Sequence, residues 1–193
     1  MKQKLAGLFL LFPLFLGAQP LVEKLDTDDI SSAFKMLGIE IFKYDFSKQA
    51  PEYNLVIHVE EIVNGSVIQN KRYELGNWGK DQIKKELKIV SKITSDTTST
   101  YWIKLSHPNM ETTQRYYVSA EFRKIHFWKQ ITSGEIDYNQ KVPLLFYGMG
   151  WEDTLKGRKI LRFCWGDDVN RDMNNPTLKK IKHMILISYQ LTK

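Results

Sequence analysis

Paired acidic residues are the first side chains in this sequence that suggest catalytic chemistry, because glycoside hydrolysis uses two carboxylates at a defined separation. Four adjacent pairs occur, at positions 28–29, 60–61, 152–153 and 167–168. Neighbouring residues of a strand point to opposite faces of a sheet, so Glu60 and Glu61 cannot both line one cleft of a regular strand. A catalytic pair of acids would therefore have to come from two different strands.

Residue types that could bind a metal ion are concentrated in one polar loop. Asp168, Asn170 and Asp172 alternate in sequence as calcium ligands do. However, the sixth position is Met173, where an EF-hand has glycine, and the twelfth is Lys179, where it has a bidentate glutamate. The loop is therefore interpreted as polar surface, with calcium binding by its three ligand-type residues as the alternative. The four histidines lie too far apart in sequence for an HxH or HExxH motif, and no cofactor is expected.

Two common nucleophile signatures are absent from the sequence. There is no GxSxG and no Cys-His signature. The single cysteine, Cys164, lies in the apolar run 160–165, which indicates a small buried side chain rather than a nucleophile, and one cysteine allows no intramolecular disulfide. The sequence predicts that the protein is not an enzyme.

Tryptophan residues are the better candidates for a binding site, because exposed aromatic rings present a large contact area at low entropic cost. Trp102, Trp128 and Trp165 lie in strand-like runs and are expected in the core. Trp78 and Trp151 lie beside glycines in predicted loops. These two are the predicted ligand-binding residues, for a glycan or a partner protein.

The elements that would position these residues are mainly strands. Ten runs show strand-like composition or alternation: 39–46, 53–63, 67–75, 87–93, 100–106, 115–122, 124–131, 142–147, 159–165 and 184–191. Asn64-Gly65 between two of them predicts a tight hairpin. The segment 25–38 predicts one short helix whose Ile30, Phe34 and Leu37 form a stripe able to lie on a sheet. The sequence thus predicts an all-β, mainly antiparallel sandwich or barrel-like fold with one N-terminal helix, and 78–87 as an alternative second helix.

The N-terminus predicts export. Lys2 and Lys4 precede an apolar run at 5–16, which is followed by small residues and is too short to span a membrane. Residues 1–18 are therefore predicted to be a signal peptide cleaved between Ala18 and Gln19, leaving 19–193 as a single domain with no membrane span. An uncleaved anchor is the alternative.

Charge and motif content argue against nucleic acid as a partner. The formal net charge is +6, and it falls to +4 when the signal, which carries Lys2 and Lys4 and no acid, is removed. The chain shows no RNP, helix-turn-helix or zinc-finger pattern.

Several features together resemble a family of uncharacterised exported proteins of similar length from Bacteroides and related bacteria. They are the signal ending in Gly17-Ala18-Gln19, the run 53–63, the Asn64-Gly65 turn and the aromatic C-terminal half. The resemblance implies a cell-envelope setting and a domain of unknown function. It supplies no activity and no site residues.

These observations lead to one leading hypothesis and two alternatives. The leading one is a periplasmic or secreted, non-catalytic module that binds an envelope protein or a glycan. The first alternative is an envelope hydrolase that acts on polysaccharide or lipid with carboxylates from different strands. The second is a structural envelope component whose partner surface is a sheet edge.

Overall fold

The computed structural model describes residues 27–48, 52–77, 85–95, 100–107, 110–117, 126–131, 135–162 and 176–193, with residues 169, 171 and 173. The elements in these ranges are α1 (Thr27–Met36), β1 (Ile39–Asp45), β2 (Asn54–Val63), β3 (Ser66–Gly76), β4 (Glu86–Ser95), β5 (Thr100–His107), β6 (Met110–Tyr117), β7 (His126–Gln130), β8 (Val142–Met149), β9 (Trp151–Leu155), β10 (Arg158–Arg162), a 3-10 turn (Leu178–Lys180) and β11 (His183–Thr192).

The strands form two main sheets and one hairpin. The first sheet has the strand order β1-β4-β5-β6, and the second has the order β3-β2-β11-β8-β7. β9 and β10 form the hairpin. All strand pairs in the sheets and the hairpin are antiparallel. The prediction of a mainly antiparallel β protein is confirmed.

The two sheets pack face to face through large side chains of the β1 region. The Phe42 ring lies 5.4 Å from the Trp128 ring, and the Phe46 ring lies 5.1 Å from the Tyr189 ring. The Tyr44 hydroxyl donates a hydrogen bond of 3.2 Å to the carbonyl of Leu144. Among the described strands neither sheet closes on itself. Of the two predicted architectures, a sandwich and a barrel-like fold, the structure therefore agrees with the sandwich.

The central strand β11 is buried on both faces. Ile187 and Tyr189 point towards the first sheet, whereas Leu186 and Ser188 point away from it, and all four side chains are buried. We call the side of the second sheet that points away from the first sheet its far face. Burial on both sides explains why residues 184–187 are four apolar residues in succession instead of alternating with polar ones.

The predicted hairpin is confirmed. Asn64 and Gly65 connect β2 to β3 and have φ angles of +50° and +80°. Positive φ at both central residues is what a two-residue type I′ turn needs, and asparagine and glycine tolerate it best.

The helix is confirmed, but its apolar stripe is not buried. Gly38 ends the helical segment with a φ of +68°, and none of the residues of α1 is buried. Ile30, Phe34 and Leu37 are all exposed. The stripe does not cover a sheet face, because α1 lies beside the edge strand β1 and shares with it an open groove of about 370 Å³.

Other predictions differ from the structure in detail. Each predicted strand overlaps an observed one, but β9 was not predicted, and β6 begins five residues before the predicted run 115–122. Of the alternative helix at 78–87, residues 78–84 lie outside the described residues, and Leu87 is a fully buried residue of β4. That helix is therefore wrong at its C-terminal end, where the Leu87 side chain fills the core between the sheets.

Candidate functional site

Most of the sequence-predicted site residues lie outside the described residues. These are Trp78, the calcium candidates Asp168, Asn170 and Asp172, and the cleavage-site residues Ala18 and Gln19. Trp151 is described, and its predicted exposure is wrong. Its side chain is only 5% exposed, with its ring 6.3 Å from the Phe127 ring. Trp151 begins β9, and its large apolar ring packs into the core instead of facing solvent.

Alternate side chains of the first sheet point away from the second sheet and form a broad surface, which we call the outer face. In register across β1, β4, β5 and β6, its first row is Ile39, Lys92, Trp102 and Arg115, its second row is Ile41, Val90, Lys104 and Thr113, and its third row is Lys43, Lys88, Ser106 and Glu111. Tyr117 extends the face at the end of β6. The intervening residues point inward, as the burial of Ile89, Ile103 and Tyr116 shows.

The first row of the outer face contains a cation between two aromatic rings. The guanidinium carbon of Arg115 lies 5.4 Å from the centre of the Trp102 ring and 4.8 Å from the centre of the Tyr117 ring. Trp102 is the cross-strand neighbour of Arg115, and Tyr117 lies two residues further along β6, so strand alternation places all three on one face. Tyr117 is 63% exposed, which leaves an aromatic surface accessible to a ligand.

The charges of the outer face are distributed unevenly. Below the first row, Lys43 forms an ion pair of 3.9 Å with Glu86, which lies beyond the third row on β4. Lys104 lies 2.8 Å from Glu111, and this contact together with a hydrogen bond from Ser106 lowers the pKa of the Glu111 carboxyl. In the first row, Lys92 and Arg115 have no carboxylate partner among the described residues. The positive charge of the face is therefore unneutralised mainly in its first row.

A second arrangement of polar side chains lies between the sheets, and we call Glu61, His183 and His126 the imidazole cluster. His183 Nε2 is 3.0 Å from Glu61 Oε1, and His183 Nδ1 is 3.2 Å from His126 Nε2. The ring of Tyr147 stacks on His126 with centroids 5.0 Å apart. The cluster joins β2, β11 and β7, which sequence inspection did not bring together because Glu61 and His183 are 122 positions apart.

The hydrogen bonds of the imidazole cluster limit which of its atoms carry protons. An ionised carboxylate only accepts, so His183 Nε2 carries a proton and donates it to Glu61. When His183 is neutral, its Nδ1 accepts from His126 Nε2, and when it is protonated, the direction of that bond reverses. This arrangement can relay a proton, but the His183 side chain is fully buried and a catalytic base must reach its substrate.

Tyrosines next to the cluster remain neutral over a wide pH range. Burial raises the pKa of Tyr147 to about 12. Burial also raises the pKa of Tyr116, with smaller contributions from Tyr73 and the Glu61 carboxylate. The ammonium of Lys71 lies 4.9 Å from the centre of the Tyr116 ring. These phenols therefore act as packing groups and hydrogen-bonding groups, not as bases at neutral pH.

Glu60, the neighbour of Glu61, points to the far face. Its carboxylate accepts two hydrogen bonds from Lys141 Nζ, at 2.7 and 2.8 Å. On the same face, His58 Nε2 lies 3.1 Å from Gln190 Oε1, and Ser188 is the cross-strand neighbour of His58. Ser188 Oγ and His58 Nδ1 are buried and have no hydrogen-bond partner among the described residues. The sequence argument that Glu60 and Glu61 diverge to opposite faces agrees with these contacts.

Neither interior arrangement forms a recognisable metal or nucleophile site. Within the described ranges, no three His, Cys, Asp or Glu side chains are grouped so that they could hold a metal ion. Ser188 is fully buried, and its hydroxyl is not within hydrogen-bonding distance of His58 Nδ1. Of the arrangements described, the first row of the outer face is the one whose chemistry is accessible, and it is our candidate site.

The candidate site differs from the predicted one, and register explains why. A strand position alone predicts that Trp102 lies in the core, but its strand β5 belongs to a sheet with one outward face. The alternation of Thr113, Arg115 and Tyr117 with Thr112, Gln114 and Tyr116 was the available signal. The alternation shows that β6 has two different faces, but the order of strands in the sheets is needed to tell which face is exposed.

The chain matches a known protein family. A family model described as a domain of unknown function (DUF5041) matches residues 18–193. No curated protein and no solved structure matches the chain. In the part of the chain that the structure describes, no helix has the length and apolar character needed to cross a membrane.

Proposed function

Because the chain belongs to DUF5041, a family of domains of unknown function, we propose a role argued from its own residues: an exported binding module of the bacterial cell envelope. The module is non-catalytic and holds a protein or glycan ligand on the outer face of the first sheet. Export rests on the charged, apolar and small-residue segments of residues 1–18, and periplasm and cell surface both fit them.

The observation that carries the proposal is the Trp102–Arg115–Tyr117 group. A sheet holds its side chains at fixed spacing, so these rings and the guanidinium are presented to a ligand with little loss of conformational entropy on binding. Tryptophan, tyrosine and arginine are the residue types that contribute most to binding energy at protein surfaces. All three types occur here on adjacent positions of two neighbouring strands.

The hydrolase alternative has weaker support in the described residues. The Glu60 carboxylate is engaged by Lys141, and the Glu61 carboxylate is engaged by the fully buried His183. Glu60 and Glu61 also lie on opposite faces of β2. An acid pair for glycoside hydrolysis needs both groups at one cleft.

The test is binding of the protein to a glycan array and to solubilised envelope proteins, with three variants. Trp102→Ala removes the ring beneath Arg115, Trp78→Ala tests the sequence-predicted site, and Tyr138→Ala is a matched loss of an exposed aromatic ring elsewhere. We expect saturable binding that Trp102→Ala weakens about tenfold or more, as for a central interface aromatic residue. Tyr138→Ala should bind as the wild type does.

Two results would contradict the proposal. One is the absence of any saturable ligand at micromolar protein concentration. The other is binding that the folded Trp102→Ala variant retains in full. In the second case, loss of binding in Trp78→Ala would move the site to the sequence-predicted residue.

A further inference from the structure

We propose that the ligand of the outer face is an acidic polysaccharide, whose carboxylates bind at the first row. This inference rests on the proposed binding function and specifies its ligand class. It starts from Arg115, whose guanidinium is held over two rings and has no carboxylate partner among the described residues. A guanidinium in this state retains its donors for a ligand, and its planar fork matches a carboxylate bidentately.

The second step is the spacing of the cations. Lys92 is the cross-strand neighbour of Trp102, and Trp102 is the cross-strand neighbour of Arg115, so the order across three strands is cation, aromatic, cation. Neighbouring strands lie about 4.8 Å apart, which puts the backbones of Lys92 and Arg115 about 10 Å apart. A linear ligand that crosses the strands thus meets two cations with aromatic surface between and beside them.

The third step is the combination of apolar and charged chemistry. The C–H groups of a sugar ring pack on an aromatic ring, and Tyr117 offers such a surface at 63% exposure. A carboxylate on the same sugar or its neighbour then lies within reach of Arg115. A neutral glycan would use the rings and leave both cations without partners, so the charge complementarity of this row favours an acidic glycan.

The distribution of charge disfavours a general polyanion surface. In the second and third rows, Lys43 and Lys104 are paired with Glu86 and Glu111, and Lys88 is the one lysine of these rows without an ion pair among the described residues, so positive charge is not continuous across the sheet. A nucleic acid strand is held mainly by repeated phosphate contacts along its backbone. On the outer face, two of the three cations without an ion pair among the described residues, Lys92 and Arg115, lie in one row with an aromatic residue between them.

The test compares polygalacturonate with its methyl ester by affinity electrophoresis of the whole protein. The ester has the same sugar backbone, but its carboxylates are neutral. We expect polygalacturonate to bind about tenfold or more tightly than the ester, as charge-assisted bidentate pairing requires. Raising the salt concentration should weaken only the binding of the acid.

Variants of Arg115 give the second arm. Arg115→Gln should weaken polygalacturonate binding about tenfold, and Arg115→Lys about threefold, because lysine keeps the charge and loses the fork. Arg158→Gln, which removes an exposed arginine from the β9–β10 hairpin, is the matched control and should leave binding unchanged.

The outcomes separate the two proposals. Equal binding of acid and ester, with both lost in Trp102→Ala, would overturn the acidic class and leave the binding surface supported. The proposal of an acidic polysaccharide would also be overturned if Arg115→Gln and Arg158→Gln weakened polygalacturonate binding equally. The same holds if the protein bound single-stranded poly(dT) as tightly as polygalacturonate. If neither polysaccharide binds and Trp102→Ala changes no array signal, both proposals fail.

Discussion

Removing the Glu61 carboxylate tests whether the imidazole cluster stabilises the sandwich. In Glu61→Ala, the buried His183 Nε2–H loses its acceptor at 3.0 Å. Leaving a buried donor unsatisfied lowers the free energy of unfolding by about 1–3 kcal/mol. Because hydrogen bonds to a carboxylate are stronger than average, we expect a loss of about 2 kcal/mol. Since the Glu61 side chain is only 17% exposed, water replaces little of the lost contact. For a protein of this size the melting temperature should fall by about 4–8 °C.

Urea unfolding followed by circular dichroism and by tryptophan fluorescence measures the change, with coincident transitions as the check for two-state behaviour. Glu61→Gln keeps an oxygen acceptor and should lose about half as much stability, because the hydrogen bond survives without its charge. Glu52→Ala, at an exposed position, should stay within about 0.5 kcal/mol of the wild type. The reasoning is refuted if Glu61→Ala is no less stable than Glu52→Ala.

Three further predictions concern packing, unpaired polar atoms and titration. Gly148→Ala should destabilise by about 1–3 kcal/mol, because the new Cβ would lie 2.9 Å from a ring carbon of the fully buried Phe146, and an unchanged urea midpoint would contradict this. Ser188→Ala should be neutral or stabilising by about 1 kcal/mol, since the Ser188 hydroxyl is buried without a partner among the described residues, and a clear loss of stability would reveal a satisfied hydroxyl. Tyr147, whose folded pKa is about 12 against 10.0 in the unfolded chain, binds its proton more tightly when folded, so its contribution to stability is complete below pH 10 and falls between pH 10 and 12. Comparison of wild type with Tyr147→Phe by urea unfolding across that range checks the slope, and identical slopes would refute it.

Much of the fold was predictable because local patterns determine it. A two-residue type I′ turn requires positive φ at both central residues, and asparagine and glycine tolerate this best. Asn64-Gly65 was therefore enough to identify a hairpin. The ten strand-like runs followed from composition and alternation. β9 was not predictable because Trp151–Leu155 has two acids and no alternation of apolar residues. Its extended conformation depends on antiparallel pairing with β10, which its own sequence does not indicate.

The candidate site was less predictable because it depends on long-range order. Trp102 and Trp151 illustrate the difference: the strand residue is on an open sheet face, and the residue beside a glycine is in the core. A sequence assigns a residue to a strand, but which face of that strand is covered depends on the other sheet. The imidazole cluster likewise exists only after three strands far apart in sequence are neighbours.

The opposite orientation of Glu60 and Glu61 has a consequence for how the chain selects its strand alignment during folding. β11 carries buried apolar side chains on both faces, so a slip of β2 by one residue against it would still bury hydrophobic side chains on both sides. A slip in either direction would, however, satisfy at most one of the two pairs: Glu60 could replace Glu61 at His183, or Glu61 could replace Glu60 at Lys141, and the other glutamate would lose its partner. Uncompensated buried charge is among the most destabilising changes in a protein. The two glutamates, each with its own partner on a different face of the sheet, therefore favour one register of β2 against β11. Apolar side chains alone would not distinguish this register from one shifted by a residue.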